Sequence, residues 1–499
     1  MSSSKQIKLG AMLSYISIAV NILSGLIYTP WMVATIGKSQ YGLYTLANSV
    51  ITLFLVDFGL SSATGRYLSK YNAEGNRESA EVFLGAIYKL YLLMDAVILC
   101  VLVVVYLGID RIFVNLTPSE LEQFKVVYGI CAIFSVVNFP FVTFNGILTA
   151  YEKFVPLKLA DICYRLCNVG FTVLALLFGF GLYGLVGVHV AAGLLVLVIK
   201  FAVIRKTVPL KVKFRKTEGR IYREIFGFSA WIMLSMVASR LVFSATPSIL
   251  GIVSGSAAIA VFGIVSTMEG YTYSVITAIS GMFMPRISRI MAQEGTEKAL
   301  PSLFANVGKF QYVLNGAIIT VFAVIGRDFI RLWMDESYLS AYWGLLLVLV
   351  PGLFYNAMEI ANTTLVVTGQ VKLTAVISLV TGVVNVCLSF PLSRMFGEVG
   401  ACLSICVAYF VRAVLSSVIY HRVLPLNVPG FMKECCLKMS VPILISVCGG
   451  IVINIFLPGS GWGMLLIKAT ATALIYLLSV VCFGLTGTEI RKALEWIKK

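Results

Sequence analysis

Residues 41–75 read YGLYTLANSVITLFLVDFGLSSATGRYLSKYNAEG. A helix needs about 20 apolar residues to cross the hydrocarbon core of a bilayer. This run is long enough, and it ends in a basic, polar tail. It also has a partner about 220 residues further on. There Gly65-Arg66-Tyr67-Leu68-Ser69-Lys70 falls on Pro285-Arg286-Ile287-Ser288-Arg289-Ile290, and Glu74-Gly75 falls on Glu294-Gly295. Each copy reads as a membrane span with a basic cytoplasmic exit. The chain therefore reads as two related bundles, a common plan for a transporter.

The composition agrees. The chain has 499 residues, 59% hydrophobic and 12% charged, and a mean hydropathy of +0.93. A soluble domain averages about 45–50% apolar and about 25% charged residues. Lipid is thus the solvent for most of this chain. Its net charge of +16 would suggest nucleic acid in a soluble protein, but retention of basic residues on the inner face explains it here. The 11 cysteines lie mostly within apolar runs and form no CxxC or Cys/His cluster, so neither zinc nor a disulfide framework is implied. No metal site and no cofactor are expected.

On the 20-residue ruler the chain holds about 14 spans. Six fall at 9–36, 41–68, 82–107, 126–150, 157–180 and 182–204. Six more fall at 225–252, 257–287, 304–325, 343–368, 373–396 and 399–420, and two at 437–457 and 464–485. The first run lacks a small-residue cleavage site and is expected to stay as a span. With the N-terminus inside, the cluster Arg205-Lys206, Lys211, Lys213, Arg215-Lys216, Arg220 and Arg223 is cytoplasmic, as are most other basic residues. Only Lys38, Arg111, Lys125, Arg327, Arg331, Arg394 and Lys468 remain outside. Both termini are then cytoplasmic, and the number of spans is even.

The expected fold is an all-α polytopic membrane protein with two parallel six-helix repeats and two added C-terminal helices. The N-terminal lobe is 1–204, a basic cytoplasmic linker 205–224, the C-terminal lobe 225–422, and the last two spans with the tail 423–499. Gly181-x-x-Gly184 and Gly397-x-x-Gly400 open the last span of each repeat. The linker's basic cluster attracts anionic lipid or an anionic lipid-linked substrate, or serves as a topology signal. Pro140, Pro247, Pro351 and Pro391 lie inside spans, where they kink helices as hinges or as fixed packing features.

Ionisable side chains near the bilayer centre cost about 2.5–3.5 kcal/mol each on lenient scales, and so mark function. Asp57, Asp95, Arg240, Glu269, Glu359 and Arg412 lie near midspan. Arg240 and Glu269 share a depth on consecutive helices; they pair, or they bind substrate and coupling ion in alternation. Asp57 and Arg66 share the second span. An arginine facing a wet cavity suits phosphate, because its planar fork binds two oxygens. A carboxylate there suits a proton or sodium ion. Neutralisation of these charges between packed helices is the competing reading. Asp161 and Arg165, at i,i+4, are expected to form an ion pair. Lys89 and Lys200 are expected to snorkel, and His189 to pack as a neutral side chain.

Several short motifs recur in an order that matches a known family. They are Gly42-x-Tyr44, then Val56-Asp57-Phe58-Gly59-Leu60 and Arg66, and Pro285-Arg286-Ile287. Val367-Thr368-Gly369-Gln370-Val371-Lys372 and Gly397-Glu398-Val399-Gly400-Ala401 follow. With the span count they make the chain resemble the multidrug/oligosaccharidyl-lipid/polysaccharide exporter superfamily. Within it the likeness is to the flippase branch that handles O-antigen and capsule repeat units. That resemblance implies a V-shaped pair of lobes around a cavity with alternating access. It implies as substrate an undecaprenyl-pyrophosphate-linked oligosaccharide, moved outward across the cytoplasmic (inner) membrane and coupled to a proton or sodium gradient. Arg240, Arg66 and Arg286 are then the candidates to hold pyrophosphate or sugar. Glu269, Asp57 and Glu359 are the candidate coupling-ion or cavity charges. The resemblance also implies a monomer that contacts membrane lipid, with a polysaccharide polymerase and a chain-length regulator as partners and no nucleic acid. Residues 9–37 carry no charge, unlike the first span of the lipid II flippases, which points away from that sub-branch.

Two other readings compete. A cation-coupled multidrug exporter of the same superfamily would favour carboxylates in its cavity, and the intramembrane charges do not decide between the two. A membrane polysaccharide polymerase or glycosyltransferase would need a large outer loop, and the outer loops here are under about 20 residues. No GxxxxGK[ST] motif is present, which disfavours an ATP-driven pump. The chain is read as a transporter and not as an enzyme.

Overall fold

The computed structural model describes residues 3–54, 59–214, 219–292 and 299–484. Among the described residues the chain is helical throughout, without strands. Among the described residues twelve helices are long and apolar enough to cross a membrane. Two of the fourteen crossings read from the sequence are hidden in that number. The second crossing is carried by helices Lys38–Phe54 and Leu60–Ala73, on either side of 55–58. The helix Val371–Val423 runs for 53 residues, but Gly397 has φ 58 and ψ −135 and divides it into two crossings.

The sequence sets many of the helix boundaries. Asn76 accepts from the Ser79 amide at 3.0 Å and starts Arg77–Ile112. Thr117 and Glu120 form a reciprocal capping box with Pro118 in the first turn of Pro118–Asn138, which satisfies two orphan amides at once. Three of the four singled-out prolines coincide with helix breaks. Pro140 sits in the 3-10 turn Phe139–Val142, Pro247 opens Thr246–Val253, and Pro351 precedes Gly352–Tyr355. Pro391 stays inside its helix. Gly181 and Gly397, which the sequence aligns, both adopt positive φ, 52° and 58°.

The protein is apolar outside and partly polar inside. Leu107, Phe178 and Phe456 are each at least three-quarters exposed, whereas Gln311, Asn385 and Ser404 are fully buried. The buried polar groups bond across helices. Gln311 Nε2 donates to Ser280 Oγ at 2.5 Å, and Ser404 Oγ to Asn385 Oδ1 at 2.9 Å. Lipid outside removes the hydrophobic drive between helices, so close packing and such bonds hold them together.

Packing divides the chain into two compact units, Met1–Gly263 with Ser389–Gly397, and Ile264–Leu388 with Glu398–Lys499. Gly219–Phe243 packs within the first unit. In that unit Phe154–Leu177 lies between Ser3–Ile36 and Gly181–Thr207, and Leu60–Ala73 pairs with Thr143–Ala150. Gly146 lets the Ser61 carbonyl approach, where a Cβ would overlap it. In the second unit Ala299–Trp333 carries both C-terminal helices, Val428–Phe456 and Trp462–Ser479. Tyr476 OH donates to the Val313 carbonyl at 3.0 Å, and Lys468 Nζ lies 3.6 Å from Asp328 Oδ2.

Candidate functional site

The second unit buries an unusual set of charges. The helix break at Pro351 leads through Gly352–Tyr355 and Asn356–Met358 into Glu359–Val367, with Glu359 as its first residue. Glu359 is 9% exposed and Glu269, from Ser256–Ala292, is 7% exposed. Arg412, from Val371–Val423, lies within electrostatic reach of both carboxylates. Its guanidinium carbon sits 4.9 Å from the Tyr355 ring centroid and 5.9 Å from that of Tyr409. The two rings pack edge-on, 4.8 Å apart. Aromatic faces stabilise a desolvated guanidinium through their quadrupoles.

The carboxylates differ. Glu359 Oε1 accepts from Asn362 Nδ2 at 3.0 Å, and Asn362 Oδ1 accepts from Thr374 Oγ1 at 3.4 Å. Glu269 has no hydrogen-bond partner among the described residues. Two buried carboxylates thus face one guanidinium, and the cluster carries one negative charge in excess when both are ionised. Chemically that is a place for one proton or one monovalent cation. No group of three His, Cys, Asp or Glu side chains suited to a metal ion occurs among the described residues.

The other sequence candidates fall elsewhere. Arg240 lies on Gly219–Phe243 in the first unit, exposed, with no carboxylate partner among the described residues. Arg66 is exposed on Leu60–Ala73, and Asp57 lies outside the described residues. Arg286 is exposed and lines a groove of about 870 Å³ whose walls include Ile279, Phe283, Leu303, Val307 and Phe310. An arginine at the edge of an apolar groove matches a ligand with an anionic head and a hydrocarbon tail.

Asp161 and Arg165 do not pair. Asp161 bonds Lys158 at 3.5 Å and Lys200 at 3.3 Å. Arg165 donates to Ser24 Oγ at 3.2 Å and the Asn21 carbonyl at 3.3 Å. Asp161 is taken by Lys158 on its own helix and Lys200 on the next, and Arg165 by the first helix. Lys200 accordingly does not snorkel; it also donates to Asn145 Oδ1 at 3.1 Å. His189 packs edge-on to Phe134 and Tyr164 and bonds Tyr164 OH at 3.0 Å, the packed role expected.

Sequence reasoning listed Arg412 as an intramembrane charge but left it out of the site, and it missed Tyr355 and Tyr409. The available signal was spacing: Tyr409 and Arg412 are i,i+3 on one helix and so share a face, and Tyr355 stands four residues before Glu359.

The first unit is tied together at the end that the charge bias assigns to the outside. Glu120 Oε1 accepts from Ser39 Oγ and Ser256 Oγ, both at 2.5 Å, while Oε2 accepts from the Thr117 amide at 2.8 Å. Gly42 lies so close to the Ser256 carbonyl that a Cβ would overlap it. Asn115 Nδ2 donates to the Ile252 carbonyl beside them.

A family model described as "Polysaccharide biosynthesis protein" matches residues 9–291. The chain is 20% identical over 423 residues to the "Uncharacterized membrane protein EpsK" of Bacillus subtilis (strain 168), covering 82% of this chain and 81% of that one. It is also 20% identical over 396 residues to a "Putative O-antigen transporter" of Shigella flexneri, covering 78% and 91% respectively. Among solved structures, the lipid II flippase MurJ in an inward closed conformation superposes with a TM-score of 0.75 at 14% identity, covering 95% of this chain and 98% of that one. An inward-facing multidrug resistance MATE family transporter of the MOP superfamily superposes with a TM-score of 0.67 at 14% identity, covering 87% and 99%. At these identities the superpositions speak for the fold.

Proposed function

The chain belongs to the polysaccharide biosynthesis protein family, and from that premise we propose that it is a transporter that flips a lipid-linked oligosaccharide, carried on undecaprenyl pyrophosphate, across the cytoplasmic membrane. The observation that carries this reading is the groove at Arg286. It joins a cationic head site to apolar walls, as a phosphate-bearing lipid with a long tail requires. The half-compensated cluster of Glu269, Glu359 and Arg412 supports coupling to a proton or sodium ion, because it offers a buried place for one such charge. The contacts at Glu120 support alternating access, since hydroxyl-to-carboxylate bonds between three segments can break without unfolding a helix.

Deletion of the gene tests the proposal. Lipid-linked repeat units are expected to accumulate on the inner leaflet while surface polysaccharide disappears. Replacement by the Arg286→Gln protein is expected to leave the polypeptide in the membrane and to lower polymer output. The buried carboxylates also favour a second reading, export of organic cations. Changed drug resistance with normal polysaccharide in the deletion strain would establish that reading and reject the first.

A further inference from the structure

The linker after the Gly181–Thr207 helix is built against the first unit. Residues 208–214 read VPLKVKF, in which apolar and basic residues alternate over 210–214. Val208 has extended dihedrals, φ −114 and ψ 111. Glu81, in the Arg77–Ile112 helix, holds this segment in place. Its Oε2 lies 2.7 Å from Lys213 Nζ, and its Oε1 accepts from the Lys211 amide and from Arg77 Nε, both at 3.2 Å. The Glu81 carbonyl also accepts from the Lys213 amide at 3.3 Å. One turn later Gly85 allows the Lys213 carbonyl to rest against the helix, where a Cβ would overlap it.

The strapped linker walls a pocket of about 470 Å³. Its interior is apolar, formed by Leu84, Tyr88, Phe144, Ile147, Phe201 and Ile204. Arg77, Arg205 and Lys211 also line it, and all three are exposed. Arg77 is paired with Glu81. Among the described residues, the side chains of Arg205 and Lys211 have no carboxylate partner. Val212 and Phe214 stand exposed beside them, 40% and 61%, as side chains at a membrane interface do.

We infer that this pocket binds an anionic glycerophospholipid of the adjoining leaflet, with its phosphate on Arg205 and Lys211 and part of an acyl chain among Tyr88, Phe144 and Phe201. Charge complementarity selects this occupant: two cations without a carboxylate partner among the described residues, at the mouth of an apolar pocket, suit a lipid with net negative charge and not a zwitterionic one. The inference does not depend on what the protein transports.

Native mass spectrometry of the full-length protein, exchanged into phosphatidylglycerol or phosphatidylcholine of equal chain length, tests it. Bound phosphatidylglycerol is expected to be retained about tenfold better than phosphatidylcholine. Arg205→Gln with Lys211→Gln should abolish the difference. Arg422→Gln with Lys433→Gln, the same loss of charge at exposed positions elsewhere, should leave it unchanged. Ile204→Trp, which fills the pocket and keeps its charges, should lower retention of the anionic lipid. Equal retention of the two lipids, indifference to the Arg205/Lys211 pair, or full retention in Ile204→Trp would overturn the inference.

Discussion

At the scale of single residues the decisive feature is a guanidinium held by aromatic rings beside two carboxylates. Arg412 does not form a close ion pair with Glu269 or Glu359. It is stabilised by Tyr355 and Tyr409 at 4.9 and 5.9 Å. Removing the cation leaves the buried carboxylates less compensated, which is costly. Arg412→Ala is therefore expected to lower the thermal stability of the purified protein sharply. Arg412→Lys keeps the charge but loses the planar stacking surface, so it should fold and show altered ion dependence. Equal stability of Arg412→Ala and the parent protein would remove the guanidinium from the cluster's balance. Glu269, without a hydrogen bond among the described residues, is the carboxylate freer to exchange its counter-charge. Glu269→Gln is expected to abolish dependence of transport on the proton or sodium gradient in vesicles, and unchanged dependence would reject that role. The three charges were legible in the sequence as expensive groups in lipid. The tyrosine faces were not, because Tyr355 and Tyr409 meet only after two helices pack. The Asp161–Arg165 pair failed for the same reason: local spacing shows which side chains share a face, not which partner another helix presents.

At the scale of elements, helix ends and breaks do the positioning. The breaks at Pro140 and Pro351 were read from the sequence, whereas the caps at Asn76 and Thr117, which rest on equally local backbone chemistry, were not. The double use of Glu120 was not readable. It closes the capping box of its own helix and also receives Ser39, near the start of Lys38–Phe54, and Ser256, the first residue of Ser256–Ala292. Ser39 and Ser256 hydroxyl oxygens lie 3.3 Å apart, so cysteines placed there would bring their sulfurs near one another. Ser39→Cys with Ser256→Cys is expected to crosslink on mild oxidation. If this end opens in each cycle, oxidation stops transport and reduction restores it. Full transport by the crosslinked protein would show that these segments stay together throughout the cycle.

At the scale of the whole molecule, length against membrane thickness decides the topology. A helix rises about 1.5 Å per residue, so the 53 residues of Val371–Val423 would span about 80 Å, more than twice the roughly 30 Å hydrocarbon core. The chain must cross twice there, and the left-handed Gly397 is where it turns. Glycine alone adopts that backbone readily, which is why the glycine pair at 181 and 397 could be read as paired openings of a last span. Arg394 then belongs to the face opposite Lys372 and Arg422. From the bias of basic residues we propose that the Arg394 face is the outer one, together with Lys38 and Lys125, and that Arg205 and both termini lie inside. A membrane-impermeant thiol reagent added to intact cells checks this, provided that native cysteines reactive under the same conditions are first mapped. Arg394→Cys and Lys125→Cys are expected to be labelled, and Lys372→Cys and Arg205→Cys to be labelled only after the membrane is opened. Labelling of positions 372 and 394 from one side would mean that residues 371–397 enter and leave by the same face. The count of crossings would then be odd, and the termini would lie on opposite sides of the membrane.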